Sequence, residues 1–357
     1  MLNIIKDLAR NIERKWREED LNYQVFADIA KKEMDSVDIV SNFKFDDINR
    51  FLNITEIKNI QIFSEFSDLH MKLYDNGKFY IEVLNWWNRD TSIHDHGFTG
   101  VLLQLQGSAL NVIYSFEEET TISQDIAFGN VKLSDAYISY KGDCRIIPYG
   151  RKEKHAVLHL EKPTISLIVR THPIVELSPQ LNYFPPYVMA NHSSIDLSFN
   201  KKIKYFKLLS KIDNDLCKKE LIDELNASTI TEQFWFIMKL SAFTFNQNNI
   251  DMLREYVNCS SNEFEKNIRN KIISIVALRK ASQYIIDHVK TRFKTYEDRL
   301  FISCLAFSFN KKEREFLFDK LGLEYYESKI TYILSKLPED IGNELKMNLN
   351  ILSLGEG

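Results

Sequence analysis

The hydrophobic and polar positions divide the chain into a helical start, a central block of strands and a long helical end. Apolar residues recur at helical spacing near the N-terminus and predict helices over 3–17, 22–34 and 45–55. From about residue 68 the pattern changes to short runs of β-branched and aromatic residues separated by glycines, which is typical of strands. The predicted strands span residues 69–74, 79–87, 100–106, 109–116, 120–127, 131–139, 144–147, 155–160 and 164–171.

The second half of the chain has a helical pattern throughout. Four of the seven prolines lie between residues 173 and 186, which predicts a linker or a strap across the strands because proline lacks the amide donor of regular structure. The predicted helices that follow span residues 201–211, 214–226, 230–246, 249–258, 262–288, 293–308, 310–321, 324–336 and 339–350. Thr229 with Glu232 matches a capping box, and Gly322 is placed to end a helix.

These changes of pattern predict an α+β protein made of four parts. They are an N-terminal helical segment (1–60), a β-barrel of the double-stranded jelly-roll type (61–175), a Pro-rich linker (176–198) and an all-α domain (199–357). The strand count suits two facing sheets, and the helices at both ends are additions to that barrel.

Histidines concentrate inside the predicted barrel. Because residues two apart on a strand share a face, His94 and His96 point to one side and Asp95 to the other. Two imidazoles on one face form half of a metal site. A third ligand is predicted at His155, which follows the Pro148–Gly150 turn, with His159 as the alternative on the same face four residues later.

Both stretches resemble the two short motifs of the cupin superfamily, G-x5-HxH-x3–4-E-x6-G and G-x5-PxG-x2-H-x3-N. The matching residues are His94, His96 and Gly107 in the first motif and Gly142, Pro148, Gly150 and His155 in the second. The glutamate position falls at Gly100 or Val101, so the carboxylate ligand of the family pattern is missing. The resemblance implies a cupin-type barrel that holds a metal through three histidines.

Within the cupins, loss of the glutamate resembles the thiol dioxygenases of the cysteine dioxygenase type, which hold iron with three histidines. Their Ser-Ile-His-Asp-His sequence is reproduced letter for letter by residues Ser92 to His96. The resemblance is limited to about residues 70–172, and Ile168 and Arg170 stand where those enzymes place a histidine and a tyrosine. It implies a mononuclear non-haem iron oxygenase that acts on a small anionic or thiol substrate with dioxygen.

Further side chains are expected to serve that site. Three neutral ligands leave a divalent ion with open coordination positions, as in catalytic sites. Fe²⁺ is the expected ion, although Zn, Ni and Cu also accept imidazole. We predict catalytic roles for His159 and Arg170, and substrate contacts from Arg170, Arg89 and Tyr114, because a guanidinium suits a carboxylate and a tyrosine offers a hydroxyl.

Net charge and cysteine content limit the kinds of binding partner that the sequence predicts. A net charge of −4 gives no reason to expect nucleic acid or a membrane surface, and four scattered cysteines suit a cytoplasmic protein. The expected partners are a small-molecule substrate and O2, with a protein partner or a homodimer through the helical domain. Two alternatives stay open: a non-catalytic metal- or ligand-binding barrel with a helical interaction domain, and a zinc-type hydrolase or isomerase on the same scaffold.

Overall fold

The centre of the molecule is a barrel of two antiparallel sheets. The computed structural model of the protein describes residues 1–177, 179–323 and 327–353. The strands are β1 (Leu69–Asp75), β2 (Phe79–Trp86), β3 (Gly100–Gln106), β4 (Ala109–Ser123), β5 (Ile126–Ser139), β6 (Cys144–Ile147), β7 (Lys154–His159), β8 (Thr164–Thr171), β9 (Asn182–Phe184) and β10 (Val188–Ala190). One sheet has the order β1-β2-β8-β3-β6 and the other β7-β4-β5-β10-β9.

This strand order confirms the predicted fold class, an α+β protein with a cupin-type double-stranded β-helix barrel. Two details differ from the prediction. The three strands predicted over residues 109–139 are two long strands, β4 and β5, joined at Gln124 and Asp125. In the Pro-rich segment, β9 and β10 extend the second sheet, where β10 pairs with β5 through Val188 and Phe128.

The N-terminal helices cover the outer face of the first sheet. They are α1 (Leu2–Glu18), α2 (Tyr23–Asp35), α3 (Ile39–Asn42), α4 (Asp47–Leu52) and α5 (Thr55–Asn59). Ile5, Ile12 and Trp16 of α1 share one core with Phe79 of β2, and all four are almost fully buried. The predicted helix over 45–55 is confirmed only over Asp47–Leu52, because the extended backbone of Ile54 separates α4 from α5.

The C-terminal helices cover the outer face of the second sheet. They are α6 (Leu197–Ile212), α7 (Asn214–Ala227), α8 (Ile230–Lys239), α9 (Ser241–Thr244), α10 (Ile250–Asn258), α11 (Glu263–Tyr284), α12 (Tyr296–Ala306), α13 (Lys311–Lys320), α14 (Glu327–Ser335) and α15 (Glu339–Ser353). The capping box of Thr229 and Glu232 forms at α8, and Gly322 follows α13 with a left-handed φ of 64°. The first three residues of the helix predicted at 324–336 lie outside the described residues.

Buried ion pairs and hydrogen bonds join the helical half to the barrel. Arg299 of α12 donates from Nη2 to the carbonyl of His159 and from Nε to that of Leu160, both at 2.7 Å. Lys290, in the turn after α11, contacts Asp90 at 2.6 Å. Asp90 in turn accepts the amide of His159 at 2.7 Å, so the helical half holds the end of β7 from two sides. None of the described helices has the length and hydrophobicity needed to cross a bilayer.

Candidate metal centre

The two sheets enclose a cavity of about 230 Å³ whose walls are alternate residues of the strands. Residues at even positions of β2 and β8 form the wall on the side of the first sheet, and odd positions of β4, β5 and β7 form the other wall. The wall includes Glu82, Leu84, Trp86, His94, His96, Phe98, Ile147, Glu153, His155, His159, Ser166, Ile168 and Arg170. Odd positions of β2 and β8 face the N-terminal helices, which explains why every residue of β2 is buried.

His94 and His155 are held together by backbone pairing. The amide of each donates to the carbonyl of the other, at 3.0 and 2.9 Å, in an isolated antiparallel bridge. The alternation of His94, Asp95 and His96 implies an extended segment, and in the structure this segment forms bridges only at His94. Nδ1 of His94 lies 2.7 Å from the carbonyl of Ser92. A neutral imidazole can only donate to a carbonyl, so Nε2 of His94 carries the free lone pair.

Three imidazoles converge at this point. The potential ligand atoms of His94, His96 and His155 lie within 4.8 Å of one another, and this is the group with metal-ligand character found within the described residues. The ring centroids are 4.8 to 5.1 Å apart. Three nitrogen donors with this spacing suit one first-row divalent ion, for which imidazole is an accepted ligand. The cluster could therefore hold a metal ion.

Burial keeps these imidazoles neutral, as metal binding requires. Desolvation is the largest cause that lowers the pKa of His94 and His96, and it lowers the pKa of His155 to about 3. Neighbouring charges lower the pKa of His96 further, among them Arg170. Nδ1 of His155 lies 3.3 Å from a carboxylate oxygen of Glu153, but without the alignment of a hydrogen bond. Each ring is thus available as a neutral donor.

Asp95 orients the two histidines from the opposite face, as the alternation predicted. Its fully buried carboxylate accepts from the Arg151 guanidinium at 2.7 Å, the Leu181 amide at 2.8 Å and the Tyr183 hydroxyl at 2.9 Å. Three donors fix the side chain of Asp95 and therefore the backbone between His94 and His96. The alternation in the sequence predicted the side to which Asp95 points, but the hydrogen-bond partners of Asp95 come from turns and strands distant in the chain.

Gly100, one of the two positions at which the cupin motif would have its glutamate, has no room for a side chain. A Cβ atom there would lie 2.3 Å from the carbonyl oxygen of Val169 and 2.8 Å from Cβ of Arg170. Real Cβ atoms do not approach other atoms so closely, so only glycine allows β3 and β8 to meet at this point. Strand β8, which carries Arg170, thus occupies the space that the side chain of a metal-binding residue at position 100 would need.

Arg170 lies on the cavity wall of the first sheet. Its guanidinium carbon is 4.0 Å from the ring centroid of Phe98 and 4.8 Å from that of Tyr80. Nε is 3.1 Å from a carboxylate oxygen of Glu82, which also contacts His70. Cation–π contacts and the ion pair hold the guanidinium in place at the cavity. Phe98 also packs against His96, with ring centroids 4.8 Å apart, so Arg170 and the histidines share a wall.

His159 is separate from the three-histidine cluster but faces the same cavity. Its ring stacks on Trp86 with centroids 4.5 Å apart. Both ring nitrogens are buried and have no hydrogen-bond partner among the described residues. An unpaired buried donor and acceptor is costly, and such groups in a cavity are candidates for contact with a ligand. Trp86 could not be recognised as a site residue from the sequence pattern; its indole donates to the Ser166 hydroxyl at 3.3 Å.

Replacing His159 with phenylalanine should remove an acid dependence of folding. Burial lowers the pKa of His159 in the folded protein to about 3 from its ordinary value of 6.5. Between these pH values the unfolded chain binds a proton that the folded chain does not, so stability falls as pH falls, by about 1.4 kcal/mol per unit. Urea unfolding of metal-free protein should be measured between about pH 7 and 4. As pH falls through this range, the free energy of unfolding of His159→Phe should rise relative to that of the wild type by about that slope. A pH-independent difference would contradict a neutral His159.

Two predicted substrate residues lie away from the cavity. Tyr114 is on the outer face of β4, where its hydroxyl donates to the carbonyl of Phe307 at 3.0 Å, because even positions of β4 face the helices. Arg89 has an exposed side chain in the loop after β2 and lines a different cavity, between the barrel and the helical half. The structure does not bring either residue to the three histidines.

Comparisons with known proteins do not identify what this chain does. No family model matches the chain, and no curated protein matches it. Similar solved structures include hydroquinone 1,2-dioxygenase from Sphingomonas sp. TTNP3 with 4-hydroxybenzoate bound (11% identity, 30% of this chain and 68% of that chain, TM-score 0.23). Others are a cupin-2 domain protein from Shewanella frigidimarina (10%, 34% and 98%, TM-score 0.21) and a double-stranded β-helix protein from Klebsiella pneumoniae (11%, 34% and 85%, TM-score 0.22). At TM-scores this low, none of these likenesses bears on what this chain binds or does.

Proposed function

We propose that this chain is a mononuclear non-haem iron oxygenase of the thiol dioxygenase type, which acts on a small substrate that carries a thiol and an anionic group. The observation that carries the proposal is the convergence of three neutral imidazoles on a cavity whose wall also holds the guanidinium groups of Arg145 and Arg170. His94, His96 and His155 would hold the ion. When bound, Fe²⁺ supplies redox chemistry and open positions at which a thiolate and dioxygen can meet.

Arg170 would bind the anionic group of the substrate. Its position over Phe98 fixes one face of the guanidinium, and Glu82 contacts Nε. Arginine pairs with carboxylates through two parallel hydrogen bonds, so a substrate held at Arg170 would present its other end to the histidines across a small space. A cavity of about 230 Å³ fits a molecule of only a few carbon atoms.

His159 and the apolar wall would complete the site. Because its pKa is lowered to about 3, His159 stays neutral at physiological pH and offers one donor and one acceptor to the substrate. Trp86 holds the plane of that ring. Leu84, Phe98, Ile147 and Ile168 form an apolar cluster along the cavity, which limits water and strengthens polar contacts inside it.

The test is oxygen consumption by iron-loaded protein with a matched set of small thiols. We expect turnover with 3-mercaptopropionate or cysteine, weaker turnover with the uncharged 2-mercaptoethanol, and none with 3-hydroxypropionate, which has no thiol. Metal analysis of protein purified without oxygen should give iron. Zinc in the purified protein together with no thiol-dependent oxygen uptake after iron loading would overturn the proposal and favour hydrolytic chemistry.

Replacing Arg170 with glutamine should raise KM for the anionic thiol by about 10- to 100-fold, because a charge-assisted pair to the substrate is lost. The KM for 2-mercaptoethanol and the metal content should change little. Arg14→Gln, at an exposed arginine of α1, is the control for loss of one positive charge. Equal effects on the charged and uncharged thiols would show that Arg170 does not contact the anionic group.

A further inference from the structure

A second and larger cavity, of about 750 Å³, lies between the barrel and the helical half. The barrel contributes the segment from Asn88 to His94 and the strand β9, and the helical half contributes α8 and α11. Phe66, Thr91, His94 and Gln180 line both this junction cavity and the cavity of the metal centre. The volume is in the range of cavities that take a metabolite or cofactor.

Positive charge gathers in the junction cavity without matching carboxylates. The charged residues among its described lining are Arg89, Lys239, Arg279, Lys280, Glu65, Asp90 and Asp287. Asp90 is already paired with Lys290 at 2.6 Å, so two carboxylates remain to balance four cations. His192 also lines the cavity, beside Trp235.

The cations of α8 and α11 are held in an unfavourable setting. Desolvation is the largest cause that lowers the pKa of Lys239, Arg279 and Lys280, and the charge of Arg279 further lowers the pKa of Lys239. Arg279 forms no ion pair or hydrogen bond with the described residues, although the charge of Asp287 acts on it. Its guanidinium carbon is 5.1 Å from the ring centroid of Phe184. A bound anion would offset this cost.

Trp235 gives an independent indication of a ligand. Its side chain is 3% exposed and lines both this cavity and a smaller one beside it, and its Nε1 has no hydrogen-bond partner in the described part of the chain. Buried indole nitrogens ordinarily find an acceptor. Phe184, Phe307 and Phe309 add apolar wall nearby, so the cavity offers flat apolar surface as well as cations.

From these contacts we infer that the junction cavity is a second binding site, for a small molecule that joins a phosphate or a comparable anionic group to a flat apolar part. Arg279, Lys239 and Lys280 bind the anionic group, and Trp235 contacts the molecule through its indole. The site goes beyond the proposed oxygenase activity and does not require it. Its occupant would touch the segment that carries His94, whose side chain lines both cavities.

The experiment is equilibrium dialysis of chelator-treated, full-length protein against 1-naphthyl phosphate, with 1-naphthol as the uncharged counterpart. We expect one bound naphthyl phosphate per chain and at least tenfold weaker binding of naphthol, since the anion supplies the pairing. Arg279→Gln should weaken naphthyl phosphate binding about tenfold or more. Arg254→Gln, which removes an exposed cation of α10, should leave the affinity unchanged.

Two further variants keep the result decisive. Lys280 is exposed, and its Nζ lies 3.4 Å from the carbonyl oxygen of Ser241 and 5.6 Å from the ring centroid of Phe245. Lys280→Gln therefore repeats the test if circular dichroism shows that Arg279→Gln is misfolded. His96→Ala should bind naphthyl phosphate as the wild type does, because His96 does not line the junction cavity. Equal binding of the two probes, equal affinity in Arg279→Gln and Arg254→Gln, or loss of binding in His96→Ala would each overturn the inference.

Discussion

Replacing His96 with alanine should leave the purified protein without bound metal, while folding is retained. Wild-type protein should carry about one transition-metal ion per chain, and His96→Ala less than a tenth of that after dialysis. The reason is that three imidazoles with ligand atoms within 4.8 Å of one another form the donor set found among the described residues, so removal of one leaves two of these ligands. Loss even of a residue that only supports a ligand commonly weakens metal binding about 10- to 100-fold, and loss of a ligand should cost at least as much.

The control variants separate the ligands from other histidines. His172 is bonded to Asp75 at 2.8 Å outside the cluster, so His172→Ala should keep its metal. His159→Ala should also keep it, because His159 is not part of the three-histidine group. Elemental analysis together with far-ultraviolet circular dichroism measures both quantities. Metal retained in His155→Ala but lost in His159→Ala would make His159 the third ligand instead.

Replacing Asp95 with alanine should lower the free energy of unfolding by about 3–5 kcal/mol, because the carboxylate is fully buried and its removal leaves three donors unpaired, although the Arg151 side chain is 30% exposed. The Arg151 guanidinium, the Leu181 amide and the Tyr183 hydroxyl would all lose their acceptor at once. Because Asp95 also fixes the backbone between His94 and His96, the affinity for metal should fall by about 10- to 100-fold. Urea unfolding of metal-free protein measures the first effect, and competition with a chelator measures the second.

Partial and exposed variants calibrate the effect of Asp95→Ala. Tyr183→Phe removes a single hydrogen bond to the carboxylate and should cost about 1.5–3 kcal/mol. Asp251→Ala removes an exposed carboxylate of α10 and should change stability by less than about 0.5 kcal/mol. If Asp95→Ala costs no more than Asp251→Ala, the three contacts of Asp95 do not stabilise the folded state.

The sequence allowed prediction of the barrel and of the face that its histidines share, because both follow from alternation along the chain. The alternation placed His94 and His96 opposite Asp95, although this segment lacks a regular ladder. The alternation alone could not place Tyr114, because it does not show whether the even or the odd positions of β4 face the cavity. That choice depends on the helices that cover the second sheet, and the position of Tyr114 within β4 does not reveal it.

Contacts between distant parts of the chain were beyond prediction. Lys290 and Asp90 are separated by 200 residues, and Arg299 and His159 by 140. Their partners are chosen by packing of helices against the second sheet, which no local pattern records. The same holds for the stacking of Trp86 on His159 and for the cations that α8 and α11 bring to the junction cavity.

Arg299 directly, and Lys290 through Asp90, hold the end of β7, so the barrel is not structurally independent of the helical half. A fragment that stopped before α6 would expose Leu110, Val112 and Leu158 to water and strand the carboxylate of Asp90 without its counter-ion. Such a fragment would be prone to aggregate, since an exposed apolar sheet recruits other chains. The helical half therefore supports the strand that carries His159, and a substitution in one half is expected to change the stability of the other.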